Sequence, residues 1–221
     1  MKNCALVVLL ISMIAFSGVK AQVQVRNEPR HTNVFENKYI RILDVNIKPH
    51  DTTQWHIHST PSVFLLLSNT TVGIQIKGQS WVKSESTAGS ASYRSFVNDT
   101  LIHRVSNFDT IPYHVNDIEL LSAYNTKAFT RPLPFKVVFE NEKAVAYRLT
   151  DSSVNKKIIS NRGPMIAGLV TGDDIILHDV KNKTSVSLKA GSKCNYIAPG
   201  TSFYLSATGP KPIDLVLFEI K

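Results

Sequence analysis

Two histidines one residue apart, His56 and His58, stand in the stretch Gln54-Trp55-His56-Ile57-His58. If this stretch is a strand, successive side chains point to opposite faces. Both imidazoles then fall on one side, and Trp55 and Ile57 on the other. A third histidine, His103, lies in a second apolar stretch, Leu101-Ile102-His103-Arg104-Val105. Antiparallel strands far apart in sequence lie side by side in a sheet, and three imidazoles meeting at one point form a ligand set for a transition metal. Three protein ligands leave open positions for water, O₂ or substrate, as catalysis at a metal requires. A His-x-His pair alone is more often a coincidence of surface or core. The third histidine raises it above that.

Little else in the chain competes with this chemistry. There is no Gly-rich phosphate loop, no Ser-centred nucleophile elbow and no zinc-protease helix motif. Asp151, Asp173 and Asp174 have no companion at a spacing that suggests acid/base pairing. His31, His50, His114 and His178 lie in a polar leader, a turn, a strand start and a loop, and are expected at the surface. No carboxylate is found in register with the three histidines, which turns the expectation away from hydrolysis and proton transfer. Asn69, Asn98 and Asn182 open N-x-Thr sequons, meaningful only in a eukaryotic host.

The elements that must position the histidines are strands. Short β-branched and aromatic runs recur at 39–47, 63–67, 72–76, 115–121, 136–139, 166–170, 174–177 and 215–220, with Gly, Pro, Asn and Asp between them. None keeps a helical period, so the class is an all-β sandwich or barrel. The pattern also repeats. At an offset of 100 residues, Phe96-Val97 overlies Tyr196-Ile197, Val105-Ser106 overlies Leu205-Ser206, and Ile118-Glu119-Leu120 overlies Phe218-Glu219-Ile220. Upstream, Phe35-Glu36-Asn37 matches Phe139-Glu140-Asn141, and Pro61 with Val63 matches Pro164 with Ile166. Two copies of about 100 residues make a pair of domains. The expected boundary is the proline-bearing stretch Thr130-Arg131-Pro132-Leu133-Pro134, giving domains at 22–130 and 131–221.

With these residues in place, the first half resembles the cupin superfamily. His56, His58, His103 and Asn107 match its two motifs at the right spacing. The resemblance implies two tandem jelly-roll β-barrels. The departures are specific: His50 stands at the leading glycine, Ser62 or Val63 at the glutamate, Asn69 at the closing glycine, and Asn98-Asp99-Thr100 at the Pro-x-Gly of the second motif. Asparagine tolerates the left-handed conformation that a glycine supplies, so Asn69 is expected to adopt it. Without the glutamate, the resemblance implies a three-histidine site like that of some dioxygenases. One divalent transition metal is expected there, iron first, with zinc, nickel or copper as alternatives. Strand register makes Gln54, Ser62 and Phe64, with Asn107, candidate pocket residues. In the second copy His56 maps onto Ile159, His58 onto Asn161 and His103 onto Phe203, so that barrel is expected to bind no metal and to serve structure. A separate pocket lined by Met165, Phe203 and Tyr204 is a lesser alternative.

Two functions stay open: a metal-dependent enzyme acting on a small organic substrate by dioxygenase-like or Lewis-acid chemistry, and a non-catalytic binding or structural protein built on the same barrel. The opening segment 1–21, with Lys2, an apolar run and small residues to Ala21, fits a secretory signal, so an exported protein starting at Gln22 is expected. No later run is long enough to span a membrane. Cys194 is then the lone cysteine of the mature chain and is expected to be buried. The formal charge is +8, about +6 without Lys2 and Lys20. That favours an anionic ligand, but basic residues are scattered without aromatic interleaving, which argues against nucleic acid. A homodimer is compatible with all of this.

Overall fold

Eight apolar runs separated by turn formers do become strands, and further strands complete their sheets, among them short polar edge strands and the buried inner strand Ala144–Leu149, which none of those runs marked. A computed structural model describes residues 22–124, 132–150 and 157–221; the expected signal segment and Asp151 lie outside the described residues. Among these residues the only helical element is one 3₁₀ turn, Val25–Asn27.

The first ten strands are β1 (Val23–Gln24), β2 (His31–Glu36), β3 (Ile40–Ile47), β4 (His56–His58), β5 (Ser62–Leu66), β6 (Thr70–Ile76), β7 (Val82–Ser86), β8 (Ala91–Arg94), β9 (Leu101–Asn107) and β10 (Tyr113–Leu120). They form two sheets, β1-β4-β9-β6-β7 and β2-β3-β10-β5-β8. The remaining strands are β11 (Lys136–Glu140), β12 (Ala144–Leu149), β13 (Met165–Thr171), β14 (Ile175–Asp179), β15 (Thr184–Leu188), β16 (Asn195–Ile197), β17 (Phe203–Ala207) and β18 (Asp214–Ile220). Their sheets are β11-β12-β18-β13-β16 and β15-β14-β17. No sheet mixes strands from the two sets.

Strand for strand, the second set repeats the first. β2-β3-β10-β5-β8 corresponds to β11-β12-β18-β13-β16, and β9-β6-β7 to β17-β14-β15. Register agrees as well: Ile118 lies between Ile42 and Val63, and Phe218 between Ala146 and Ile166. The hairpin entering each half turns on an asparagine whose Oδ1 accepts two backbone N–H groups. Asn37 takes those of Tyr39 and Ile40, and Asn141 those of Lys143 and Ala144.

The central strands β3, β5 and β10 are apolar on both faces, and the packing explains why. Leu43, Val45, Ile47 and Val115 point into the first half with Val72 and Val105. Ile40, Ile42, Val63, Leu65 and Ile118 point outward onto Ala144, Ala146, Ile166, Val216 and Phe218 of the second half. Each side chain fully buried there contributes on the order of 1.5–3 kcal/mol, so the two halves are joined by a shared apolar layer. Cys194 is buried in that layer, as expected, and its thiol pKa is raised by burial. A Cβ at Gly168 would come within 2.3 Å of Leu65 and 2.6 Å of the Cys194 sulfur, so the halves approach closely only because this position lacks a side chain.

Candidate metal centre

β4 and β9 pair antiparallel, with His56 directly opposite His103 and His58 opposite Leu101. Residues directly opposite across a ladder share a face, so all three imidazoles project to the interior. Ring centroids lie 4.4 Å (His56–His103), 5.0 Å (His58–His103) and 5.2 Å (His56–His58) apart. One ligand atom from each histidine lies within 4.8 Å of the others. The Nε2 atoms of His58 and His103 are 3.1 Å apart. Two nitrogens bonded to one ion at about 2.1 Å, at tetrahedral or right angles, stand roughly 3.0–3.4 Å apart. The Nε2 pair matches that separation.

The other ring nitrogens face outward. His56 Nδ1 lies 2.9 Å from the Gln54 carbonyl. A carbonyl only accepts, so Nδ1 carries the proton and Nε2 keeps its lone pair. His58 Nδ1 lies 3.5 Å from Asp117 Oδ2. His58 Nδ1, His103 Nδ1 and both Asp117 oxygens are buried without a hydrogen-bond partner. Burial pushes the pKa of all three rings below the usual histidine range, that of His103 to about 3. They are therefore neutral at physiological pH, the form that ligates a metal. The donor set of three neutral imidazoles fits a divalent transition ion.

The histidines sit at the polar end of a cavity of about 230 Å³. Val45, Ile47, Leu66, Val105 and Val115 give it an aliphatic lining, with Phe64, Ser92 and Tyr113 completing it. Three features differ from the sequence reading. His31 is buried and lines the cavity, its ring edge-on to His56 at 4.9 Å and its Nδ1 3.0 Å from the Val25 carbonyl. Asp117, on β10, supplies the carboxylate that was expected to be missing. Burial pushes its pKa up to about 8, the neighbouring Glu119 adding to this and Ser62 opposing it. Third, His114 is half-buried and bonded to Asp44 at 2.7 Å.

Of the candidate pocket residues, Phe64 lines the cavity and Ser62 is buried, its hydroxyl donating to the Thr60 carbonyl at 3.2 Å. Gln54 acts through its main chain, holding His56. Asn107 lies away from the cavity: its amide donates to the Ile47 and Ile111 carbonyls at 3.0 and 2.8 Å and braces a loop. Asp117 was legible in principle, since alternation along 115–121 puts it on the same face as Val115. His31 carried no such signal, because only tertiary packing buries that polar leader.

No protein-family model and no curated protein sequence matches the chain. Solved structures do match it. AerE from Microcystis aeruginosa shares 13% identity over 88% of this chain and 98% of its own, with a TM-score of 0.57. A cupin 2 conserved barrel domain protein from Leptotrichia buccalis shares 10% over 86% and 88%, at 0.52. A salicylate 1,2-dioxygenase from Pseudaminobacter salicylatoxidans shares 12% over 82% and 71%, at 0.53. The fold is the cupin fold.

Against the cupin motifs, His50 occupies the leading glycine position with φ +60°, the left-handed geometry that explains a glycine there. Asn69 does not follow the expectation: its φ is not positive, and its Oδ1 instead accepts the Ala88 N–H at 2.9 Å. Near Ser62, in the place of the cupin glutamate, the neighbouring strand brings in Asp117, directly opposite Phe64. In the second cupin half, Ile159 pairs with Phe203 as His56 does with His103. Met165 and Phe203 are fully buried in its core, and Tyr204 stacks on His178 instead, so the three residues do not line a common pocket.

Proposed function

We propose that the first cupin domain, residues 22–130, is a metalloenzyme domain. His56, His58 and His103 would hold one divalent transition metal, iron first, with zinc, nickel and copper the other candidates for an all-imidazole site. The second domain, 131–221, would be its structural support. The observation that carries this reading is the set of three buried, neutral imidazoles converging at the polar end of an otherwise apolar cavity. A metal held there supplies either O₂ activation or Lewis-acid polarisation of a substrate oxygen. The dioxygenase among the structures of this fold supports the first.

The remaining cavity residues set the substrate class. About 230 Å³ admits only a small molecule. The aliphatic wall takes an apolar body and excludes water, while Asp117 and Tyr113 offer polar contacts beside the histidines. Among the described residues no Lys or Arg lines the cavity, so the anionic ligand suggested by overall charge gives way to a substrate with a neutral body. The leader 1–21 supports an exported protein, which N-terminal sequencing of the mature chain, starting at Gln22, would check.

The test is metal content by elemental mass spectrometry on untagged protein beside a His56→Ala/His58→Ala double variant, followed by oxygen uptake with small aromatic and carbonyl compounds. About one metal per chain, lost in the variant, is expected. A wild-type chain that takes up no metal even on reconstitution overturns the reading.

A further inference from the structure

Asp117 has no role in holding the fold that its contacts reveal. Asp117 is 1% exposed, and neither carboxylate oxygen has a partner at good hydrogen-bond distance, although the Ser62 side chain is close enough to oppose the rise in its pKa. Two residues along the same strand, the buried Glu119 is bound by Arg41 at 2.5 Å, and its equivalent in the second half, Glu219, is bound by Arg162. A buried glutamate held by an arginine is thus present in both halves, the arginine coming from β3 in the first and from the loop before β13 in the second. Asp117 is not: its equivalent is Leu217, and it is replaced together with the histidines, whose equivalents are Ile159, Asn161 and Phe203. The carboxylate goes where the imidazoles go.

His58 Nδ1 lies 3.5 Å from Asp117 Oδ2, about half an ångström beyond a good N–H···O bond, with the Ser62 side chain also beside the carboxylate. The face of the same imidazole is stacked on Phe96, centroids 4.9 Å apart and planes 22° apart. Phe96 is itself buried at φ +57°, a conformation costly for a side chain of that size. His58 is thus gripped on its face by a strained aromatic and approached at Nδ1 by an unpartnered acid.

The tautomers of His58 and His103 together decide whether the site is open. With the proton on Nε2, His58 donates to His103 across the 3.1 Å gap and closes the site on itself. With the proton of each ring on Nδ1, two lone pairs face each other and call for a cation between them. We infer that Asp117 is the positioning residue of the centre, drawing the His58 proton to Nδ1 so that Nε2 is presented with those of His56 and His103. This rests on the three-histidine reading above. A carboxylate behind a ligand histidine raises its basicity and fixes its ring.

The experiment compares wild type with Asp117→Asn and Asp117→Leu, measuring Co(II) affinity by competition with a chromophoric chelator and thermal melting after chelation. It adds nitrogen-15 spectra of the Zn(II)-loaded wild type. Expected are a loss of about 10–100-fold in Co(II) affinity for the leucine variant and a smaller loss for asparagine, which keeps an acceptor. The chelated leucine variant should melt no lower than wild type, because an unpartnered buried acid has been removed. In the spectra His58 should carry its proton on Nδ1 and bind through Nε2, a reading that stands even if a variant does not fold. Unchanged affinity in both variants, or His58 bound through Nδ1, overturns the inference and leaves the metal reading intact. A wild type that binds no Co(II) overturns both.

Discussion

The two halves share strand order, register, a turn built on asparagine and a buried glutamate held by an arginine from a different place in each, yet their interiors differ in kind. The first encloses about 230 Å³ bordered by His31, His56, His58, His103 and Asp117. In the second, Ile159, Phe203, Ile213, Leu215 and Leu217 fill the equivalent space and join one apolar cluster. Where the first half keeps the paired strands β4 and β9, the second keeps only the bridge between Ile159 and Phe203. The fold therefore does not depend on the histidines. Each buried polar atom left unsatisfied costs about 1–3 kcal/mol, so the first half carries a destabilising site that the second has exchanged for core.

The sharpest way to break this comparison is to give the first half the second half's residues. The double variant His56→Ile/His103→Phe should lose bound metal altogether, to below about a tenth of an equivalent, because one imidazole does not hold a transition ion against a chelator. It should still fold, since these residues already coexist in the same register elsewhere in the chain. Retained metal would show that the centre lies elsewhere.

The converse change attacks the support. Phe203 is fully buried at the middle of the second half's core. Phe203→Ala should cost about 3–5 kcal/mol of stability in denaturant titration, while the chains that remain folded keep their full metal content. Metal lost in proportion to stability would instead mean that the second half shapes the site directly.

Acid should separate the halves more gently. In chelated protein, burial holds His31 and His103 at about 3, well below the unfolded value of 6.5. Below pH 6.5 the unfolded chain takes up protons that the folded chain refuses. Stability is therefore complete above pH 6.5 and falls as pH drops toward 3, by up to about 1.4 kcal/mol per pH unit for each such ring. Urea titrations from pH 7 to 4.5 should show this slope in wild type and a shallower one in the His56→Ile/His103→Phe variant. Equal slopes would show that His56 and His103 are not the acid-sensitive groups.

Much of this contrast was legible in the sequence, because strands have a period of two and a duplicated chain carries its own control. The central strands other than β12, the histidine pair on one face and the mapping of His56 onto Ile159 all followed from alternation and a nearly constant offset. The edge strands β7, β8 and β15 did not, since their exposed residues, such as the Val-Lys-Ser-Glu-Ser of β7, leave no apolar period to read. Asp117 was overlooked because a carboxylate in an apolar run looks like an interruption until its face is counted. His31 could be assigned only from packing, since Glu28 and His56 surround it through folding and not through spacing.

The finest test asks whether the shared frame is energetically shared. Asn37 Oδ1 accepts from Tyr39 and Ile40 at 2.8 and 3.0 Å, and Asn141 Oδ1 from Lys143 and Ala144 at 2.8 and 3.0 Å. Each is part-buried at the turn that leads into a central strand, β3 or β12. Truncation to alanine leaves two backbone donors to water or to nothing, a loss of about 1 kcal/mol. Asn37→Ala and Asn141→Ala should therefore cost nearly the same in thermal or denaturant unfolding, and neither should alter metal content. If Asn37→Ala costs much more, the first half is the weaker partner and its frame is strained by the site it carries; if the costs match, the two halves differ in their interiors and not in the scaffold around them.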